Sequence, residues 1–286
     1  KSIGKNFCGD ILTNDFYAND MELLRIISHK YSIDVIEAMQ CNEELSYSYE
    51  EYTSGTTGPP KKIIRSSHSV QREMLRLKYI IDYYSRYSQI KSEYRIVYVS
   101  HYPNAQSHYY LDKTSEDIEI FKIPLNSKDI DSKLQSLNLK WGRYILAGTA
   151  SSLNFLLSLE QVKVVKPSLI LSSGEFMPVV VKNQLSTQFN CPVYDLYVMR
   201  EFGLIGFQCY FSSKFHIFEN DLLISSNDNN EVLITDLTNT SQAFINYCTG
   251  DNGLLIEHVC NCNSSAFISL CQFKGREYGK YHYPPL

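Results

Sequence analysis

Along this chain, apolar positions first recur at helical and strand spacing in alternation, and later at strand spacing alone. Residues 21–39 (MELLRIISHKYSIDVIEAM) place apolar side chains three and four apart, which predicts a helix or helix pair. Lys62 to Arg65 is a short strand-like run, and Val70, Met74, Leu77, Ile81 and Tyr84 follow at intervals of 4, 3, 4 and 3, the stripe of an amphipathic helix. Arg95–Val99, Glu119–Ile123 and Tyr144–Ala147 read as strands, with a helix marked by Ile130, Leu134 and Leu137. Ser168–Leu171 is a further strand and Val179–Phe189 a further helix. This order predicts an α/β sheet with covering helices over residues 1–205. From 206 to 286 the runs shorten to Phe215–Phe218, Leu222–Ile224, Glu231–Asp236, Ala243–Tyr247, Leu254–Glu257 and Ala266–Phe273, split by Asn, Asp, Ser and Gly. That stretch predicts a smaller antiparallel β region completing the same domain.

Composition narrows the function classes. A formal charge of −4 argues against a nucleic-acid partner, which calls for a basic face. No run of 18 apolar residues is present, so no membrane-spanning helix is expected. Lys1 to Asp10 holds no apolar signal core, and a cytoplasmic protein is the expectation. In that setting eight scattered cysteines favour thiols or a metal site over a disulfide framework.

The chemistry begins at Thr53-Ser54-Gly55-Thr56-Thr57-Gly58-Pro59-Pro60-Lys61. Gly55 and Gly58 let the backbone approach phosphate oxygens closely, while Ser54, Thr56 and Thr57 add hydroxyl donors. Lys61 adds a mobile positive charge. The spacing does not fit the P-loop pattern, but it suits a triphosphate. Further on, Cys209-x6-His216 and Cys260-x-Cys262 offer four donors for tetrahedral zinc; buried thiols with no metal are the alternative reading.

The loop resembles the signature of the adenylate-forming enzymes, among them acyl-CoA synthetases and adenylation domains, and three later segments follow in that family's order. Ser172-Ser173-Gly174-Glu175 resembles the adenine-contacting stretch. Tyr194-Asp195-Leu196-Tyr197-Val198-Met199-Arg200-Glu201-Phe202-Gly203 resembles the segment that carries an adenine-stacking tyrosine and a magnesium-binding glutamate. Thr249-Gly250-Asp251 resembles the ribose-binding motif, and Gly275-Arg276 the arginine that ends the large domain. The phenylacetate–CoA ligase group is the most similar subfamily, on Tyr194-Asp195-Leu196-Tyr197 and on the Cys209/His216 and Cys260/Cys262 positions.

The resemblance implies ATP- and Mg2+-dependent adenylation of a small carboxylic acid, with AMP and pyrophosphate chemistry. Lys61, Glu201 and Arg200 become the catalytic set, with Mg2+ on Glu201. Ser54, Gly55, Thr56, Thr57, Gly58, Ser173, Gly174, Glu175, Asp195, Tyr197, Asp251 and Arg276 become the nucleotide set, and His101 a substrate contact. Some members of the group hold a structural zinc at the positions of Cys209, His216, Cys260 and Cys262. Departures accompany the match. Val198 stands where the family has glycine, Arg200 where it has threonine, and Asn246 where it commonly has arginine. The family's mobile C-terminal domain is expected to be absent, which leaves transfer of the adenylate to a carrier protein or another acceptor enzyme. Two other readings stay open: a degenerate domain that binds nucleotide or a partner without catalysis, and an acyl-protein synthetase-like subunit of a complex.

Overall fold

A computed structural model describes residues 48–52, 61–87, 94–100, 118–125, 144–159, 166–257, 260–262, 264, 266 and 268–276. The helices expected within 21–39 and at 130–137, the loop residues Ser54 to Gly58, and His101 lie outside the described residues. Two short strands, β1 (Ser48–Tyr52) and β2 (Lys62–Ser66), pair antiparallel. They are followed by helix α1 (Ser67–Ser85), capped by the Ser66 hydroxyl, which accepts from Ser69 N. Then come β3 (Arg95–Ser100), β4 (Glu119–Pro124), β5 (Ile145–Gly148), α2 (Ala150–Leu157), β6 (Leu169–Ser173), α3 (Val179–Phe189) and β7 (Val193–Met199). The remainder is β8 (Gly203–Gln208), β9 (Phe215–Ile217), β10 (Leu222–Ser226), β11 (Glu231–Asp236), β12 (Tyr247–Glu257) and β13 (Ile268–Arg276).

The eleven strands from β3 onward form one sheet, ordered β10-β11-β12-β13-β9-β8-β7-β6-β5-β3-β4. The β4-β3-β5-β6-β7 half is parallel, as strand–helix alternation requires, and every pairing from β7–β8 onward is antiparallel. The change of direction falls at the β7–β8 hairpin, and the sheet runs on through it.

The inner parallel strands β3, β5 and β6 are apolar on both faces, so their side chains divide by alternation. Val97, Leu146, Ile170 and Val193 pack under α2 and α3 with Leu153, Leu156, Leu185 and Phe189. Ile96, Ile145, Leu169 and Leu171 pack under α1 with Leu77, Ile80, Ile81 and Tyr84. A third cluster, including Ile63, Tyr197, Phe202, Ile234, Phe244, Tyr247 and Leu270, fills the β-rich half. Ile63 ties β2 to that cluster.

One expectation needs correction. Ala243–Tyr247 is not a strand, because residues 243–246 form no regular structure, with bends at 245 and 246, and β12 starts only at Tyr247. The run Gly250-Asp251-Asn252-Gly253 lies inside β12. Its glycine serves a close approach: a Cβ on Gly253 would lie 2.5 Å from Leu270 on the neighbouring strand. A register shift between Asn252 and Leu254 absorbs the irregularity.

Gly203 illustrates a second use of glycine. It has φ +67°, and a Cβ there would lie 2.3 Å from the Glu73 carboxyl group. We expect Gly203→Ala to lose about 3 kcal/mol from backbone strain plus displacement of a buried charge. Urea unfolding measures this; an unchanged midpoint would contradict the packing of Glu73 against the hairpin.

Candidate active site

Three strands bring the distant sequence motifs together. β7 ends in a three-residue hairpin loop, Arg200-Glu201-Phe202, with Met199 opposite Gly203. Gly203 supplies the left-handed residue that such a loop needs. β12 carries Tyr247, Thr249 and Asp251 on alternate positions, all buried. β13 sets Arg276 directly opposite Asp251 in register.

The polar contacts join these elements. The Tyr197 hydroxyl donates to Asp251 Oδ2 at 2.7 Å, and the Tyr247 hydroxyl donates to Glu201 Oε1 at 2.7 Å. All four side chains are at most 8% exposed. The residues read from sequence as adenine-stacking, ribose-binding and magnesium-binding thus fall in two buried hydrogen-bonded pairs, each with one member on β12. Tyr247 was missed by motif reading. The available signal was its place two residues before Thr249, which alternation puts on the same face as Asp251. Val198 turns the other way and packs against the α1 cluster, so its side chain does not occupy the Tyr197 face.

A second group sits near the ends of β3 and β6. Glu175 accepts from Ser151 N at 2.8 Å and from Ser151 Oγ at 3.0 Å, which fastens the Ser173-Gly174-Glu175 loop to the start of α2. Gly174 takes φ +77° there. Burial pushes the Tyr98 phenol above its usual range; Arg200 acts to lower it and Glu175 to raise it, which places both charges within electrostatic reach of that ring. Asp195 faces a different partner: Lys182 Nζ donates to its Oδ2 at 2.9 Å, and Gln208 Oε1 accepts from its backbone N at 3.2 Å. Burial raises its carboxyl and the Lys182 charge opposes the shift.

β2, which follows the loop read from sequence as phosphate-binding, is held by side-chain amides. Ile64 N donates to Gln242 Oε1 at 2.6 Å, Ser66 N donates to Asn239 Oδ1 at 2.9 Å, and Asn239 Nδ2 donates to Ile64 O at 2.9 Å. These bonds satisfy the open edge of β2 much as a neighbouring strand would. Lys61 is exposed at the start of that strand.

The fold has counterparts among solved structures. A 2-hydroxyisobutyryl-CoA ligase, in the postadenylation state with R3-HIB-AMP, aligns over 89% of this chain and 56% of its own, at 15% identity and a TM-score of 0.62. An ATP-bound RpMatB-BxBclM chimera aligns over 79% of this chain and 47% of its own, at 16% identity and a TM-score of 0.53. The N-terminal subdomain of Klebsiella oxytoca NpsA with anthranilyl-AMSN aligns over 77% and 62%, at 11% identity and a TM-score of 0.51. The chain has the fold of the adenylate-forming enzymes. It spans about half the length of the ligase it resembles, 53% to 56% in two of its structures. No protein-family model and no curated protein matches the sequence.

The remaining candidate is the cysteine–histidine group. Cys209 follows β8, His216 lies in β9, and Cys260 and Cys262 stand between β12 and β13. Their donor atoms all lie within 4.8 Å of one another. Cys209 Sγ is 3.7 Å from Cys260 Sγ, and Cys262 Sγ is 3.1 Å from His216 Nε2. Burial, with Lys214 adding to it, pushes His216 down to about 4 and keeps the imidazole neutral. Burial acts to raise the Cys209 thiol, but the polar groups around it, Ser212 and the Phe211 backbone first, leave it below its usual value. Burial pushes Cys260 up to about 11. The six described cysteines form no disulfide. Among the described residues no helix is long and apolar enough to cross a membrane.

Proposed function

We propose that this chain binds ATP and activates a small carboxylic acid as its adenylate. A carboxylate oxygen of the acid attacks the α-phosphorus, the bond from that phosphorus to the bridging oxygen breaks, and pyrophosphate leaves. The observation that carries the reading is the two buried pairs Tyr197–Asp251 and Tyr247–Glu201, which join β7 and its hairpin loop to β12, far apart in sequence. In this reading Asp251 accepts from the ribose hydroxyls, using acceptor capacity beyond its bond to Tyr197. Tyr197 lies against the base, and the Glu175 loop closes that side. Lys61 and the loop before it hold the phosphates, with Arg200 as a bidentate donor near the reacting groups.

Glu201 fits a magnesium ligand. Its carboxylate is hard, and the Tyr247 bond engages one of about four acceptor sites on an ionised carboxylate. When bound, Mg2+ neutralises phosphate charge in the transition state. The adenylate then passes to a thiol or amine, on a carrier protein or an acceptor enzyme. The test is ATP–pyrophosphate exchange over a panel of aryl and acyl acids. Exchange with at least one acid is expected, and Lys61→Ala should lower it about 100-fold, a typical loss for one charge-stabilising group. ATP binding without exchange for any acid would leave a nucleotide-binding domain with no adenylating activity.

For Cys209, His216, Cys260 and Cys262 we infer a structural zinc. Tetrahedral zinc, at about 2.3 Å to sulfur and about 2.0 Å to nitrogen, wants donors somewhat under 4 Å apart. The 3.7 Å sulfur pair meets that, and the 3.1 Å sulfur–nitrogen pair needs only a small adjustment. The donor set, three thiols and the Nε2 face of one imidazole with all ligand atoms within 4.8 Å of one another, is the chemistry of a closed tetrahedral zinc site. Four protein donors leave no open position for catalysis, so the role is to join the β8–β9 turn to the β12–β13 connection.

A further inference from the structure

The hairpin loop that carries Glu201 is gripped from beneath by α1. Glu73, fully buried in the middle of that helix, accepts from Leu204 N at 3.0 Å through Oε1 and from Arg65 Nη1 at 2.8 Å through Oε2. Arg76, one turn on, donates through Nη1 to Leu204 O at 2.7 Å and to Phe202 O at 3.4 Å. Its Nε donates to Asp221 Oδ2 at 2.7 Å, and Arg72 reaches Asp221 Oδ1. Both backbone groups of Leu204 are therefore held by helix side chains, and the Phe202 carbonyl with them.

This grip is an expensive way to fill space. A buried Arg–Glu pair can often be replaced by apolar side chains of the same volume without loss of stability. What the charges supply here is direction. The Leu204 amide is fixed, Gly203 is bent to φ +67° over the Glu73 carboxylate, and Glu201 stands two residues before that bend. On the other side of Glu73, Arg65 belongs to β2, four residues after Lys61. One carboxylate thus ties the exit strand of the phosphate loop to the loop that presents Glu201.

We propose that Glu73 is a positioning residue for the magnesium site: it sets the hairpin so that the Glu201 carboxylate and the phosphate loop keep a fixed mutual geometry. The proposal rests on the reading of Glu201 as a magnesium ligand. Glu73 touches neither nucleotide nor metal and acts through the Leu204 amide and the Arg65 strand.

The test is calorimetric titration with MgATP and with ATP in EDTA, on the wild type, Glu73→Gln, Glu201→Gln and the double variant. The wild type should bind MgATP about tenfold more tightly than metal-free ATP, a 1.4 kcal/mol preference. Glu201→Gln and Glu73→Gln should each bring that ratio close to one, and the double variant should go no further, because both changes act on one interaction. Glu73→Asp keeps the charge facing Arg65 but retracts the carboxylate from Leu204 N; it should stay folded and still lose the ratio. Leu185→Ala, in the core beneath α3, should lower thermal stability and keep the ratio. The positioning role is overturned if the Glu73 variants keep the wild-type ratio while Glu201→Gln loses it, or if the two losses multiply. Equal wild-type binding of both ATP forms would instead remove the magnesium reading itself, and Glu73 with it.

Discussion

Glu201→Gln is expected to cut acid-dependent ATP–pyrophosphate exchange about 1,000-fold while the protein stays folded. The loss corresponds to about 4 kcal/mol of transition-state stabilisation, the upper end for removing one charge-stabilising group from a dry site. Glutamine is the informative replacement. Glu201 is 4% exposed and accepts the Tyr247 hydroxyl at 2.7 Å, so alanine would open a cavity and orphan a buried phenol. The amide oxygen of glutamine can still accept that bond, and only the negative charge is lost. Tyr247→Phe makes the reciprocal change: it keeps the charge and removes one hydrogen bond worth about 1 kcal/mol, so exchange should fall only about fivefold. Comparable losses for the two variants would mean that Glu201 matters for packing rather than for a cation. Exchange that survives Glu201→Gln would remove it from the catalytic set.

Much of this arrangement was legible in the sequence, and the limits have physical reasons. Val179–Phe189 and Glu231–Asp236 match their observed bounds, since each is a periodic run flanked by breakers. β3, β5 and β6 were found within one or two residues because burial on both faces makes them continuously apolar, whereas β7 was not read as a strand. α2 went unread: Ala150–Leu157 opens on two serines, and its start is fixed by the Thr149 hydroxyl, which accepts from Ser152 N. β8 was hidden inside the motif that Glu201 dominates.

At the site, ordered motifs identified Tyr197, Glu201 and Asp251 but not what holds them. Tyr247 was within reach of strand alternation. Glu73 was not, because a glutamate between Arg72 and Met74 looks like the solvated side of an amphipathic helix. Only the fold shows that its partners are Arg65, eight residues back, and the Leu204 amide, 131 residues ahead. The observed Lys182–Asp195 pair likewise joins α3 to β7, a contact that no local spacing encodes.

Stripping metal from the purified protein is expected to lower its melting temperature by about 10 °C, and one equivalent of Zn2+ is expected to restore it. Zinc at about a thousandfold excess over its dissociation constant adds about 4 kcal/mol to the folded state. For a domain of 150–250 residues or more, that is about 10 °C. The cluster makes the effect specific. It joins the β8–β9 turn to the β12–β13 connection, beside the short β9–β13 pairing at His216–Ser269 and Phe215–Leu270. Cys262→Ser, buried at 0% exposure, should reproduce the loss and abolish the response to zinc. Acid should act in the same direction. His216 is held near 4 in the folded state against about 6.5 when exposed, so the unfolded chain binds its proton first. Stability supplied by the neutral imidazole is therefore present above about pH 6.5 and lost as pH falls towards 4. Elemental analysis of the same sample separates the explanations. A protein that melts at one temperature with and without chelator, and carries no zinc, has four buried donors that serve as apolar packing, and the Cys262→Ser loss must then be a cost of burying a hydroxyl.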